Sequence, residues 1–544
     1  MRLVKKIKSD KKFSFFVIGV LFTAFFLRFF KLTSVPFGMH RDEIINVYVG
    51  RFILQNGADP YNNLWPLFYF DKFGDFPPIM PMYIMGLSTL VLGVNEFAMR
   101  APAALFGALT VIPVYFLSYQ LFQKKYPALL SAFLLAILPW HIVLSRMSAE
   151  GILAVFAFAT GLVFLLKGVF NAQKKALYIA LPFLLITYFL YPSFRILIPL
   201  SIFPLLLVRK TRLIITAMLV LFVIVTLSIS STDWGRARFN QTSVFTSSEV
   251  SNTIAAMTQD EGHNDALLAR VFHNKPIGYS REFARQYFSY FSPNFLFMNG
   301  STPHEYIIPD VGLIYIVFFV LCLGVLLPVS VKYNKSAYYY FLYLLLVSVI
   351  PAALTIDFPP HVHRALVMTI PIVILLPLGL LKILEVVKRK NIVLVLFFGI
   401  LLLECIYFSH QYFNHISSYK SLFKNDGFRE AAAYADKNKS KYERVYVPSF
   451  NLPYFYLFYT NNFNKDLAGK FKMKQGQSGI DSVGNIQFLA AECPSDELQK
   501  KLPSGNILIL DFGICNTPPG FTQIDKILRQ DNSEAFKILE VSKK

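Results

Sequence analysis

The sequence is poor in charge and in cysteine, and it has no nucleotide-binding loop. The first and last of these shortages each exclude a class of protein. Charged residues are 16% of the 544, against roughly 25% in soluble domains, so an ordinary water-soluble globule is excluded. No Gly-rich phosphate-binding loop occurs, which argues against a nucleotide as the donor in any transfer chemistry. No internal repeat or low-complexity segment occurs either, and secondary transporters are commonly built on such repeats. Four cysteines say little about the redox compartment. Cys322 and Cys405 lie in apolar runs, where a small buried hydrophobe is the default. Cys493 and Cys515 lie in the polar C-terminal part, and their pairing stays open, depending on whether that part is outside the cytoplasm. Acids are fewer than bases, 33 against 53, for a net charge of +20. The excess Lys and Arg form short clusters between apolar runs, which fits positive-inside loops beside anionic lipid rather than a nucleic-acid surface.

What the chain has in abundance is apolar and aromatic side chains. Hydrophobic residues are 55% of it, mean hydropathy is +0.47, and there are 55 Phe and 29 Tyr. Apolar runs of spanning length lie near 13–30, 101–122, 127–145, 150–167, 212–230, 311–331, 338–356, 364–386 and 391–409. The stretch 176–208 is too long for one span. Tyr191-Pro192-Ser193-Phe194-Arg195 breaks it into two short helices, since Pro192 interrupts the hydrogen-bond ladder. The expected fold is an α-helical polytopic membrane protein with about eleven transmembrane helices plus juxtamembrane helices. The basic start MRLVKKIKSDKK lacks a small-residue cleavage site downstream, so the first run is read as a retained span.

Sidedness follows from the basic connections. Lys124-Lys125, Lys174-Lys175, Arg209-Lys210-Arg212, Lys332/Lys335 and Lys388-Arg389-Lys390 occupy every second connection and are assigned to the cytoplasm with the N-terminus. The segment 79–93 would invert every later loop if it crossed, and it is shorter than the roughly 20 residues a span needs. It is therefore expected to be a juxtamembrane or re-entrant helix at the outer surface. This predicts a multi-pass protein of the cell (inner, cytoplasmic) membrane with a cytoplasmic N-terminus and an extracytoplasmic C-terminus. Its expected parts are a transmembrane catalytic domain over 1–409 and an extracytoplasmic α/β domain over 410–544. The first contains outer loops at 31–100 and 231–310. The second has strand-like runs at Arg444–Val447 and Ile507–Asp511 and a helix-like segment at Gly427–Asp436.

The outward connections collect acids, Arg, His and aromatics, whereas the inward ones are mainly basic anchors. Outward are His40-Arg41-Asp42-Glu43, Phe73-Gly74-Asp75-Phe76-Pro77-Pro78, Asn95-Glu96 with Arg100, Ser145-Arg146 with Glu150, Tyr191 with Arg195, and His361-Val362-His363-Arg364. Asp42 and Glu43 open a helically patterned segment that ends at Gly57, so they sit where the helix dipole favours negative charge. Stabilising that helix start is the bland account of them, and catalysis is the sharper one. Asp75 either caps the next helix or touches an acceptor. His361 with His363, or His304 with Glu305, could offer ligands to a divalent metal, but a two-residue spacing on a loop is not diagnostic. Histidines hydrogen-bonding in a polar vestibule are the simpler account. The acid-rich stretch 258–266 lacks the Asp-x-Asp-x-Asp-Gly calcium pattern.

RDEIINVYVGRFILQNGADPY, followed by FGDFPPIMPMYIMGLSTLVLGVNEFAMRAPAALFGALTVIPVYFL, resembles the membrane glycosyltransferases of the GT-C fold. The similar branch holds the protein O-mannosyltransferases and the lipid A aminoarabinose transferases. Ser145-Arg146 with Glu150, Tyr191 with Arg195, the His363-Arg364 loop and GFREAAAYADK at 427–437 also resemble that family. The resemblance covers most of 35–440 and is loose beyond about 450. It implies a polyprenyl-phosphate sugar donor and a lipid, glycan or protein acceptor, with transfer of a hexosyl or pentosyl unit at the outer face. The family's catalytic Asp falls on Asp42, with Glu43 beside it. Arg146, Arg195 and Arg364 would offer cations to the leaving phosphate, since an Arg fork fits phosphate oxygens. Asp75, Glu150, Tyr191, His304 and His363 complete the expected substrate-binding set. One departure stands out: Phe76 occupies the place just before Pro77-Pro78 where the aminoarabinose transferases carry a Lys. The competing reading is a transporter or flippase of a lipid-linked sugar.

Overall fold

The computed structural model describes residues 11–72, 74–147, 149–263, 266–298, 302–474, 477–500 and 505–541. The basic start at 1–10, Phe73, and residues 264–265 of the acid-rich stretch lie outside them. The chain divides into two compact units: Met1–Arg28 with Leu105–Ser145 and Glu150–Ser409, and Phe29–Ala104 with Arg146–Ala149 and His410–Lys544.

Among the described residues, seven helices are long and apolar enough to cross a membrane. They are Lys11–Phe29, Glu96–Phe122, Glu150–Phe170, Arg209–Ser230, Lys335–Ala353, Leu366–Val386 and Lys390–His415. Lys125–Ile137 and Pro139–Met147 meet at 53° and make an eighth if they form one span. Pro139 supplies the break, because it cannot donate to the preceding turn. The other three expected spans are shorter helices. Lys174–Leu190 and Phe194–Ile202 part at Tyr191–Ser193, as the proline predicts, and Val317–Leu326 has only 10 residues. The expected outer loop at 231–310 is largely helical, with Asp233–Thr242, Ser248–Gly262, Ala266–Phe272 and Lys275–Ser289.

In the first unit, Val317–Leu326 is held by neighbours that compensate for its shortness. Both Glu404 carboxylate oxygens accept from the amides of Ile316 and Val317, at 2.9 and 3.2 Å. At the other end, Lys382 Nζ donates to the carbonyls of Val325 and Leu327, at 2.7 and 2.8 Å. An acid at the N-terminus and a base at the C-terminus satisfy orphan backbone groups and oppose the helix dipole. In apolar surroundings those groups would otherwise be costly.

The second unit carries the helix Arg41–Asn56 and the short helix Met80–Leu92. The latter is 13 residues, about 20 Å at 1.5 Å per residue, so it is too short to cross a bilayer core of about 30 Å. The two helices touch through Gly50 and Gly86. A Cβ on Gly50 would collide with the Met82 carbonyl, and one on Gly86 would collide with the backbone at Gly50. Further along the chain is a sheet built of β1 Arg444–Pro448, β4 Ser482–Val483, β5 Ile486–Leu489, β6 Ile507–Phe512, β7 Thr522–Leu528 and β8 Glu534–Val541, with β2 Lys472–Lys474 and β3 Gln477–Gly479 paired apart. Its order is β4-β5-β1-β6-β8-β7, parallel at β5-β1-β6 and antiparallel elsewhere. Alternation along β6 sends Ile507 and Ile509 into one buried cluster with Tyr446, Phe521 and Leu539. Cys493 and Cys515 form a disulfide.

Candidate active site

The acids at the start of Arg41–Asn56 are a working helix cap. His40 is the N-cap residue, and its Nδ1 accepts from the Asp42 amide at 3.3 Å. The His40 amide in turn donates to Glu43 Oε2 at 3.0 Å, completing a capping box. Glu43 is thereby spent on structure. It is 4% exposed and paired with Arg100, Nε to Oε1, at 3.2 Å. Burial pushes the Glu43 carboxyl up, while Arg100 and the His40 amide pull it back.

Asp42 is different. Its side chain is 42% exposed, yet Lys72 Nζ, only 6% exposed, lies 2.5 Å from Oδ1. Arg41 Nε is 3.5 Å from the same oxygen, and His40 Nδ1 is 3.7 Å from Oδ2. Burial pushes the Asp42 carboxyl up, but Lys72, His40 and Arg41 outweigh it and hold the group well below the usual carboxylate range. The site therefore presents an ionised carboxylate to solvent with a buried ammonium against it.

Two arginines fix the loop that leads into this cap. Arg100 donates to the carbonyls of Leu32, Pro36 and Gly38 at 3.3, 2.8 and 2.7 Å. Arg146 donates to those of Lys31 and Val35 at 3.2 and 2.8 Å, and to the Tyr412 hydroxyl at 3.2 Å. Its guanidinium also lies 5.3 Å from the Phe413 ring centroid. Fully buried, Arg146 holds the loop backbone at Lys31 and Val35, ahead of the cap, and does not present its fork to solvent. Asp75 exchanges backbone hydrogen bonds with Lys72 in a tight turn, at 2.7 and 2.9 Å. It does not cap the following helix, whose N-cap is Ile79 without a side-chain bond.

The first unit gathers its own polar cluster. His363 Nε2 accepts from the Gly151 amide at 3.1 Å, and its ring lies 5.0 Å from that of Tyr191. Arg364 hydrogen-bonds the Tyr191 hydroxyl and pairs with Asp357 at 2.7 Å, and Glu150 lies close enough to Tyr191 for its charge to act on that hydroxyl. Tyr191, His363 and Arg364 thus come together with Glu150 nearby, whereas the sequence had grouped Tyr191 with Arg195 and Glu150 with Arg146. Arg195 does not join them: it stacks over Trp234 at 5.2 Å and donates to the Tyr188 carbonyl. His304 lies on a short turn of helix, His304–Tyr306. Among the described residues no group of three or more His, Cys, Asp or Glu side chains is placed to hold a metal ion.

Sequence reasoning missed Lys72 and Tyr412, and named Arg41 only as a member of the His40-Arg41-Asp42-Glu43 cluster. For Lys72 one signal was present: it is the one base between Arg51 and Arg100, with Asp71 and Asp75 close by in the chain.

Residues 77–234 match the family described as dolichyl-phosphate-mannose-protein mannosyltransferase. Among solved structures, ArnT from Cupriavidus metallidurans bound to undecaprenyl phosphate superposes with a TM-score of 0.51 at 11% identity, covering 97% of this chain and 98% of that one. The oligosaccharyltransferase AglB from Archaeoglobus fulgidus, in complex with an inhibitory peptide and a dolichol-phosphate, gives 0.47 at 12% identity, covering 92% and 70%. Among curated proteins, none matches the chain in sequence. The fold is that of the GT-C membrane glycosyltransferases, with a small C-terminal sheet. The protein is a multi-pass membrane protein with that fold, and the mannosyltransferase family match covers residues 77–234 of it.

Proposed function

We propose that the protein moves a hexosyl or pentosyl unit from a polyprenyl-phosphate donor to a hydroxyl or phosphate of a lipid, glycan or protein acceptor, at the outer face of the cell membrane. In this reading 1–409 is the catalytic domain and 410–544 an extracytoplasmic domain. The Cys493–Cys515 disulfide supports the outward placement of the latter, and the basic connections support a cytoplasmic N-terminus. The undecaprenyl phosphate bound by the ArnT neighbour has the chemistry expected of the lipid product.

The observation that carries the reading is the half-exposed, ionised Asp42 with the Lys72 ammonium 2.5 Å away. As the acceptor oxygen attacks the anomeric carbon, its proton passes to Asp42. The bond from that carbon to the phosphate oxygen breaks, and its electron pair leaves on the polyprenyl phosphate. A carboxylate as strongly stabilised as Asp42 is a weak base while Lys72 remains on it. A donor phosphate competes for the same ammonium and so frees the base when the leaving group is in place. Lys72 then stabilises the charge that develops on the departing phosphate. Tyr191, His363, Arg364 and Glu150 are assigned to substrate binding in their own unit. Arg146 acts by holding the loop before Asp42. Arg195 and His304 remain binding-site candidates, and so does Asp75 through its turn with Lys72.

The test is Asp42→Asn in purified protein reconstituted in lipid nanodiscs, with sugar transfer followed from a polyprenyl-phosphate donor. Loss of about 10²- to 10⁴-fold in turnover is expected for removal of a general base. Turnover close to that of the parent would overturn the assignment of Asp42.

A further inference from the structure

A cleft of about 370 Å³ opens within the second unit, beside the cap that presents Asp42. That size belongs to sites for small molecules or for one unit of a larger chain. His40 and Arg41 line one end, and they lie 3.7 and 3.5 Å from the Asp42 carboxylate. The walls are aromatic. Phe512 packs edge-on against Phe450 with ring centroids 6.4 Å apart, and against the buried Phe428 at 5.9 Å. Phe450 and Phe423 remain 42% and 47% exposed, so their faces meet solvent inside the cleft. Arg529 and Glu492 supply further charge.

We infer that this cleft is the acceptor site and that it takes a sugar unit bearing a phosphate or carboxylate, the end of an anionic glycan. This rests on the reading of Asp42 as the base. A pyranose has an apolar C–H face and a hydroxylated edge, so it fills an aromatic wall while keeping its polar groups toward Asn451 and Glu492, which also line the cleft. Two arginines against one glutamate give the lining an excess of positive charge, and Arg forks match phosphate or carboxylate oxygens. Neutral peptide would gain from the phenyl rings but would have no use for those cations. The placement also suits the chemistry. A sugar seated against Phe450 and reaching Arg41 has its hydroxyls next to the residue that must take the proton. The disulfide adds to this: Cys493 and Cys515 directly follow Glu492 and Ile514, both in the lining. The crosslink therefore ties together two segments of the rim.

The experiment measures binding, which needs no turnover. Full-length protein in nanodiscs is titrated with a fluorescent phosphodiester-linked hexose oligosaccharide, with its dephosphorylated counterpart, and with a neutral Ser/Thr-containing peptide of similar size. The expected result is at least fivefold tighter binding of the phosphorylated glycan than of the neutral one. The double variant Phe423→Ala/Phe450→Ala, at exposed positions, should weaken it at least tenfold with no change in thermal stability. Binding by the variant equal to the parent's, no glycan binding by the parent, or equal competition by the peptide overturns the proposal. Release of sugar from the donor to water is measured separately on the parent protein. Its absence would count against the reading of Asp42, while the glycan titration alone decides the role of the cleft.

Discussion

Lys72 and Asp42, thirty residues apart in the chain, meet at 2.5 Å, and the base buries almost completely while the acid stays open to solvent. The relationship sets the protonation state of the proposed base. Lys72, with His40 and Arg41, more than offsets the burial that would raise the carboxyl. A depressed carboxyl is ionised above its folded pKa, and that state is lost only as pH falls through it.

Replacing Lys72 with Met leaves the burial in place and removes the largest attraction, so the Asp42 carboxyl titrates at higher pH. The acid limb of kcat/KM, which reports the unliganded enzyme, should move upward relative to the parent. In addition kcat should fall by about 10²-fold, the scale for losing one group that stabilises a leaving anion. The measurement is a pair of pH–rate profiles in identical nanodiscs. Superimposable acid limbs would show that Lys72 does not govern the base.

Arg100 should matter for folding rather than chemistry. It neutralises the buried Glu43 and binds three carbonyls of the loop before the cap. Arg100→Met strands a buried carboxylate, at a cost of about 3–5 kcal/mol. Combining it with Glu43→Gln removes that stranded charge and should recover part of the loss, because residues in direct contact couple. Thermal unfolding of the two single variants and the double variant checks this. Strict additivity would mean that the pair does not act as a unit.

The contact between Arg41–Asn56 and Met80–Leu92 has no room for a side chain at Gly50 or Gly86. Gly86→Ala is favourable for an isolated helix by up to about 1 kcal/mol. Here the methyl meets backbone, which cannot move as a side-chain tip can, so overpacking of about 1–3 kcal/mol should dominate. A lowered melting temperature with unchanged helical content is the expected outcome. A gain in stability would show that the two helices are free to separate.

What the sequence made legible was whatever is encoded locally. Apolar length marks the helices, Pro192 marks the break at Tyr191–Ser193, and the pattern from Asp42 to Gly57 gives a helix that ends on a left-handed Gly57. The strands near 444 and 507 fall where β-branched runs put them. What it hid is pairing across distance. Nothing near Arg146 in the chain announces that its fork is filled by the carbonyls of Lys31 and Val35. Nothing near Glu43 names Arg100 as its partner. The short helix Val317–Leu326 was hidden for the same reason, since the groups that satisfy its ends, Glu404 and Lys382, belong to other helices. An apolar run alone cannot tell a full span from a short helix capped by its neighbours.

The orientation turns on Met80–Leu92, the short apolar helix between the first two long ones. If it lies at the outer surface, Asn95 just beyond it is extracytoplasmic, and the basic connections that follow stay inside. If it crossed, Asn95 and every later loop would change sides. Asn95 lies in a half-exposed bend, where its side chain donates to the Leu92 carbonyl and accepts from the Ala98 amide, so Asn95→Cys costs one local cap of about 1 kcal/mol. The substitution is made with Cys322 and Cys405 changed to Ala and the Cys493–Cys515 disulfide kept, so that the new thiol is the only free one in the protein. An impermeant maleimide added to intact cells should label it at once. Labelling only after permeabilisation would place Asn95 inside and show that 80–92 crosses. The loops that carry Glu150, Tyr191, His363 and Arg364 would then open on the side opposite Asp42, and their assignment to the same substrates would fall.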